Sequence, residues 1–96
     1  MAKAVRVYHA REAFADGTIM EISIWRLPGR SAERPHGLKY SLFFGVPGER
    51  WVGYDNERGK GDHKHIFDEQ SPYAFIDIDR LLDDFMADVA MVRRIR

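Results

Sequence analysis

The sequence predicts an α+β fold: an antiparallel, meander-like sheet of four to five strands with one C-terminal helix packed on a face. Three observations carry this expectation. Short segments with apolar residues at every second position fill most of the chain before residue 56. Between them stand turn dipeptides, Asp16-Gly17 and Pro47-Gly48, which suit the conformations that reverse a strand. The last stretch changes to helical spacing, with Ile78, Leu81, Leu82, Phe85, Val89 and Val92 on one stripe.

In chain order, "KAVRVYHAREAF" and "IMEISIWRL" read as a hairpin across Asp16-Gly17. Met20, Ile22 and Ile24 share one face of the second strand, and Glu21 and Ser23 the other, as in a sheet with one covered side. Residues 28–37, "PGRSAERPHG", form a long loop rich in proline, glycine and charge. "LKYSLFFGV" is a third strand with Leu38, Tyr40, Leu42, Phe44 and Val46 on one face, and Pro47-Gly48 turns it into a fourth, "ERWVGYD". "HKHIF" reads as a short fifth strand. Ser71-Pro72 and "FIDID" lead into the helix, with Asp77 as N-cap, Asp79 in the first turn, and Arg93, Arg94 and Arg96 at the closing end, where charges suit the helix dipole.

The 96 residues predict one domain, 1–96, with an ordinary soluble composition of 45% apolar and 31% charged residues. Without cysteine there is no thiol catalysis, thiolate zinc site or disulfide framework. The N-terminal residues hold no long apolar run, and no segment approaches the ~20 apolar residues of a membrane helix. The expected setting is the cytoplasm, without membrane contact and without a cofactor. Net charge is zero but unevenly spread: 11 Lys/Arg against 8 Asp/Glu up to residue 66, then 4 against 7. A basic front half permits a phosphate-bearing ligand without requiring one.

The polar stretch "YDNERGKGDHKH", Tyr54 to His65, concentrates the chemistry. It is not a phosphate-binding P-loop, because Gly61 follows Lys60 where that motif needs Ser or Thr. If residues 62–66 are extended, His63 and His65 point to one face, roughly 6.5–7 Å apart at the backbone, and Lys64 to the other. Two imidazoles so placed can act as acid and base around a phosphate, or ligate one metal ion. RNA brings its own nucleophile, the 2′-hydroxyl, so its cleavage needs a base, an acid for the leaving oxygen and a cation at phosphorus. His63, His65 and Lys60 can fill those roles, with Asp55 or Asp62 orienting an imidazole. Gly59 and Gly61 leave backbone N–H groups free to approach an anion, and Arg58 can contact a neighbouring phosphate. The competing bland reading is a solvated hairpin loop, with Asn56 and the glycines chosen for turn geometry and Asp55 as its cap. Trp25 and Trp51 can stack on bases, but a half-buried sheet tryptophan is the commoner case; Asp84 and Asp88 read as a solvated helix face, and His9 and His36 as incidental.

The combined pattern resembles the TumE family of bacterial toxin–antitoxin proteins. The resemblance rests on "YDNERGKGDHKHI" and "PYAFIDIDRLLDDFMADV", with "DGTIMEISIWRLP" and "HGLKYSLFFGV" upstream. Its signature is Tyr54-Asp55-Asn56, Gly59-Lys60-Gly61-Asp62-His63 and His65, with Tyr73, Phe75, Leu82, Asp84 and Phe85 at matching spacing. In the family an arginine often lies between the two histidines, where this chain has Lys64. The positive charge survives, but a planar two-pronged phosphate contact does not.

The resemblance implies a small toxin partnered by a cognate antitoxin. With the histidine chemistry it gives a leading expectation: a metal-independent endoribonuclease with His63, His65, Lys60, Asp62 and Asp55 as catalytic residues. RNA would be held by Arg58, Gly59, Gly61, Lys64, Asn56 and Tyr54. Two alternatives stand beside it: a non-catalytic module that binds the antitoxin or an RNA, and a metal-dependent hydrolase with His63 and His65 as ligands. An exposed edge on so small a sheet also permits a homodimer.

Overall fold

A computed structural model describes residues 3–57 and 59–96. Six strands and one helix follow one another: β1 (Val5–Ala13), β2 (Ile19–Arg26), β3 (Leu38–Val46), β4 (Glu49–Asp55), β5 (His63–Ile66), β6 (Glu69–Pro72) and α1 (Ile78–Ile95). The strands form one sheet in chain order, every neighbouring pair antiparallel. The meander and the single helix are as expected; the strand count is six rather than four to five.

The additional strand, β6, is "EQSP", and all four residues are exposed. It has no apolar alternation and ends in a proline, which only a sheet edge tolerates. A two-residue turn, Phe67-Asp68, joins it to β5, with Ile66 paired to Glu69. Phe67 adopts φ 53°, a left-handed conformation that a two-residue hairpin normally gives to glycine or asparagine. Its ring packs against the core, and its N–H bonds the Trp51 carbonyl at 2.8 Å. Gly48 at φ 82° makes the β3–β4 turn in the expected way. The first hairpin closes more loosely: residues 14–18 form the loop, with Asp16 accepting bonds from the Thr18 N–H and hydroxyl.

One face of the sheet buries the core. Ile22, Ile24, Leu38, Tyr40, Leu42, Phe44, Val52 and Tyr54 meet Leu81, Phe85, Val89 and Val92 of α1. Each such apolar side chain contributes about 1.5–3 kcal/mol relative to exposure. Asp77 caps the helix by accepting the Arg80 N–H at 2.7 Å, and the last turn is anchored by Arg93 on Asp16, 2.9 Å apart. Asp84 and Asp88 are not a solvated face. They accept the Tyr73 and Tyr54 hydroxyls respectively, so the helix docks through polar pairs as well as its apolar stripe. Burial first, and then the bonded carboxylate, holds each phenol well above the ordinary tyrosine range.

Pairing register then fixes what lies on the opposite face, which no helix covers. Asp55 stands across from His63, and Gly53 from His65. A slip of one residue would turn both histidines into the core and Lys64 out of it, so burial of the other face sets the position of the site.

Candidate active site

Three side chains from β4 and β5 meet on the uncovered face. Asp55, His63 and His65 each bring one ligand-type atom within 4.8 Å of the others. The two imidazole rings are 4.9 Å apart, edge to face. His63 is 5% exposed, far more enclosed than an exposed strand edge would leave it.

The contacts of His63 fix its ring. Nδ1 lies 3.0 Å from the Gly61 carbonyl, an acceptor that requires a proton on that nitrogen. Nε2 lies 2.5 Å from Asp55 Oδ1. This second contact is close but off-line for a ring N–H, so the buried Oδ1 has no aligned hydrogen-bond donor. The ring is thus held from both sides, by a backbone carbonyl at Nδ1 and by the Asp55 carboxylate beside Nε2. His36 shows the ordinary alternative: its Nδ1 accepts the Leu38 N–H while Nε2 faces Asp62 Oδ2 at 2.9 Å, which the neutral ring satisfies.

His65 is the more open imidazole. Its pKa is held below the ordinary 6.5, first by desolvation, then by Arg50 and His63. Arg50 was not anticipated as a site residue. A bulge after Phe44 puts it opposite Gly45 and turns its side chain over Gly53. A Cβ at position 53 would come within 2.4 Å of Arg50 Cδ, so glycine there is what lets the arginine lie across the sheet beside His65. The spacing of Arg50 and Gly53 was the only sequence signal, and it needs the bulge to be read.

The loop between β4 and β5 covers His63. Gly59 and Gly61 both take positive φ, 82° and 70°, which supports the turn reading of the glycines. The Gly59 N–H is directed at Glu33 Oε2, 3.3 Å away, rather than at open solvent. Lys60 is exposed, within 3.6 Å of Glu57, and lines a small pocket over His63 together with Gln70. Arg58 lies outside the described residues.

Four expected site residues make their side-chain contacts elsewhere, although Asp62 also lines the small pocket at His63. Asp62 does not orient His63 or His65. It accepts the Tyr40 hydroxyl at 2.7 Å and pairs with His36, whose ring packs on Phe75, so His36 is not incidental. Asn56 is 1% exposed and spends its amide on β3: Oδ1 accepts the Tyr40 N–H and Nδ2 donates to the Leu38 carbonyl. Tyr54 is buried on the helix side and donates to Asp88. Lys64 is on that side too, 3.3 Å from Asp88, as the alternation of β5 requires.

Fold and cluster together define a class: a small α+β domain with a carboxylate–imidazole cluster on the bare face of an antiparallel sheet. The chain belongs to the TumE toxin family, whose model, described as Toxin TumE, matches residues 3–94. Comparison with curated proteins and with solved structures gives no match. Among the described residues, no helix is long and apolar enough to cross a membrane.

Proposed function

We propose that this protein is the toxin of a toxin–antitoxin pair and acts in the cytoplasm as a metal-independent endoribonuclease. The observation that supports this best is the Asp55–His63–His65 cluster on the uncovered face. There one imidazole is enclosed and contacted at both ring nitrogens, and its neighbour is more open, with its pKa held below the ordinary 6.5 by desolvation and then by Arg50. Such divergent environments sort two like groups into separate roles. His65 takes the proton of the 2′-hydroxyl as that oxygen attacks phosphorus. Arg50 stabilises the phosphorane, while His63, held at both ring nitrogens, packs edge to face on the His65 ring and sets its place. Lys60, at the rim of the pocket above His63, protonates the leaving 5′-oxygen. Asp55 is a positioning residue that holds the His63 ring.

Cleavage is therefore expected in EDTA, and His65→Ala should lower its rate by about 10²-fold or more. Cleavage undiminished in His65→Ala would sink the proposal. Growth arrest with intact cellular RNA would instead favour a module that binds without cutting.

A metal-dependent reading has one observation in its favour, the buried Asp55 Oδ1 without an aligned donor inside a possible three-ligand set. Against it, Nε2 and Oδ1 stand only 2.5 Å apart. Two ligands on one zinc ion stand about 3.3 Å apart. Metal analysis of protein purified without a histidine tag, and loss of cleavage in EDTA, would favour the metal.

A further inference from the structure

The uncovered face extends well beyond the histidine cluster. Register places Arg6 and Arg11 of β1, Trp25 and Glu21 of β2, and Lys39 and Phe43 of β3 on the same side as Asp55, His63 and His65. Two features of this face are unusual for a surface that merely meets water. Trp25 and Phe43 are half-buried aromatics that do not belong to the core cluster, unlike Trp51, which packs against it. Phe43 has no aromatic partner among the described residues, and Trp25 carries the Arg6 guanidinium 5.6 Å from its ring centre. The face is also basic. Arg6, Arg11, Lys39 and Arg50 form no ion pair among the described residues, while Glu21 is the one acid beside them apart from Asp55, which His63 occupies. Phe43 lies in the same cross-strand row as His65, with Gly53 and the Arg50 side chain above it between them. That separates them by two strand spacings, about 10 Å.

Flat rings interleaved with unpaired cations match one ligand chemistry: unstacked bases on a phosphate chain. We propose that the uncovered face is a track for single-stranded RNA, on which Trp25 and Phe43 stack on bases while Arg6, Arg11, Lys39 and Arg50 hold phosphates. The track leads to His65, so it rests on the ribonuclease reading for its purpose, but not for its existence. Base-paired RNA is excluded, because its bases are not free to stack on a side chain.

The test reads binding rather than cleavage. Fluorescein-labelled, mixed-sequence single-stranded RNA is titrated into the His65→Ala protein and followed by anisotropy over a range of salt concentrations. Expected results are at least about fivefold weaker binding for Trp25→Ala and for Phe43→Ala, and recovery of most affinity in Trp25→Phe. Arg11→Gln should reduce the slope of log K against log salt by about 0.7. In a Trp51→Phe background, RNA should quench the remaining Trp25 emission, a readout that needs no aromatic deletion on the face. Equal affinity of the Trp25→Ala/Phe43→Ala double variant, with unquenched Trp25, overturns the proposal. So does equal binding of a double-stranded RNA. A double variant that keeps RNA affinity but loses its antitoxin would assign the face to the protein partner and overturn it as well. Absence of cleavage by wild-type protein alongside intact Trp25-dependent binding would count against the nuclease reading alone.

Discussion

Asn56→Ala tests whether Asn56 serves the sheet or the substrate. Its side chain extends the β3 ladder past the end of β4: Nδ2 donates to the Leu38 carbonyl at 2.7 Å and Oδ1 accepts the Tyr40 N–H at 3.0 Å. Removing it strands one backbone acceptor and one donor in a buried place, each costing about 1–3 kcal/mol. With some water entry the sum is about 2–4 kcal/mol, against a total of roughly 5–15 kcal/mol for a domain. Urea unfolding followed by far-UV circular dichroism should show the midpoint falling with m unchanged. Tm should drop by roughly 8 °C or more. Asn56→Asp keeps the acceptor for Tyr40 but aims a carboxylate oxygen at the Leu38 carbonyl, so it should be at least as damaging. A loss below about 0.5 kcal/mol in Asn56→Ala, within the range of an ordinary surface change, would refute the ladder argument and return Asn56 to the substrate side.

Two further predictions concern His65 and the arginine beside it. His65 should titrate below 6.5 by NMR, and Arg50→Gln should raise its pKa by removing a cation that opposes protonation. Because the folded pKa is depressed, the unfolded chain binds more protons in this window. The His65 contribution to stability is therefore complete above 6.5 and is lost as pH falls toward the folded value. Gly53→Ala should displace Arg50, whose Cδ lies 2.4 Å from the new Cβ. Its cleavage rate should match that of Arg50→Ala, while a Gly53→Ala protein as active as wild type would remove Arg50 from the site.

The strands of the core were legible because burial on one side imposes a period of two, and β3 shows it with Leu38, Tyr40, Leu42 and Phe44 all enclosed. β6 was not, since an exposed edge imposes no pattern and its turn uses Phe67 where a glycine would have announced it. The histidine pair was legible for the same reason as the core: alternation alone puts His63 and His65 on one face. Which aspartate serves them was not. Asp62 is adjacent to His63 in sequence yet points toward Tyr40, whereas Asp55, eight positions away, is its cross-strand partner. Likewise Asn56 and Lys60 look alike as loop polars, and only the free backbone groups of β3 distinguish them.

The meander carries a consequence for the order of assembly. Each strand pairs with the one made just before it, so the sheet can be laid down hairpin by hairpin, with the loop between β2 and β3 the longest to close. The helix comes after all six, and its Arg93 must reach back to Asp16 in the first turn. Until α1 docks, Phe44, Val52 and Tyr54 have no cover, although the register that joins Asp55 to His63 is already available to the strands alone. The strand pairing that makes the histidine cluster is local in sequence, and the apolar cover of the sheet beneath it comes from the last element. A lesion at Phe85 or Val92 should therefore act through the lifetime of the folded state, by faster unfolding, rather than through the chemistry of the opposite face.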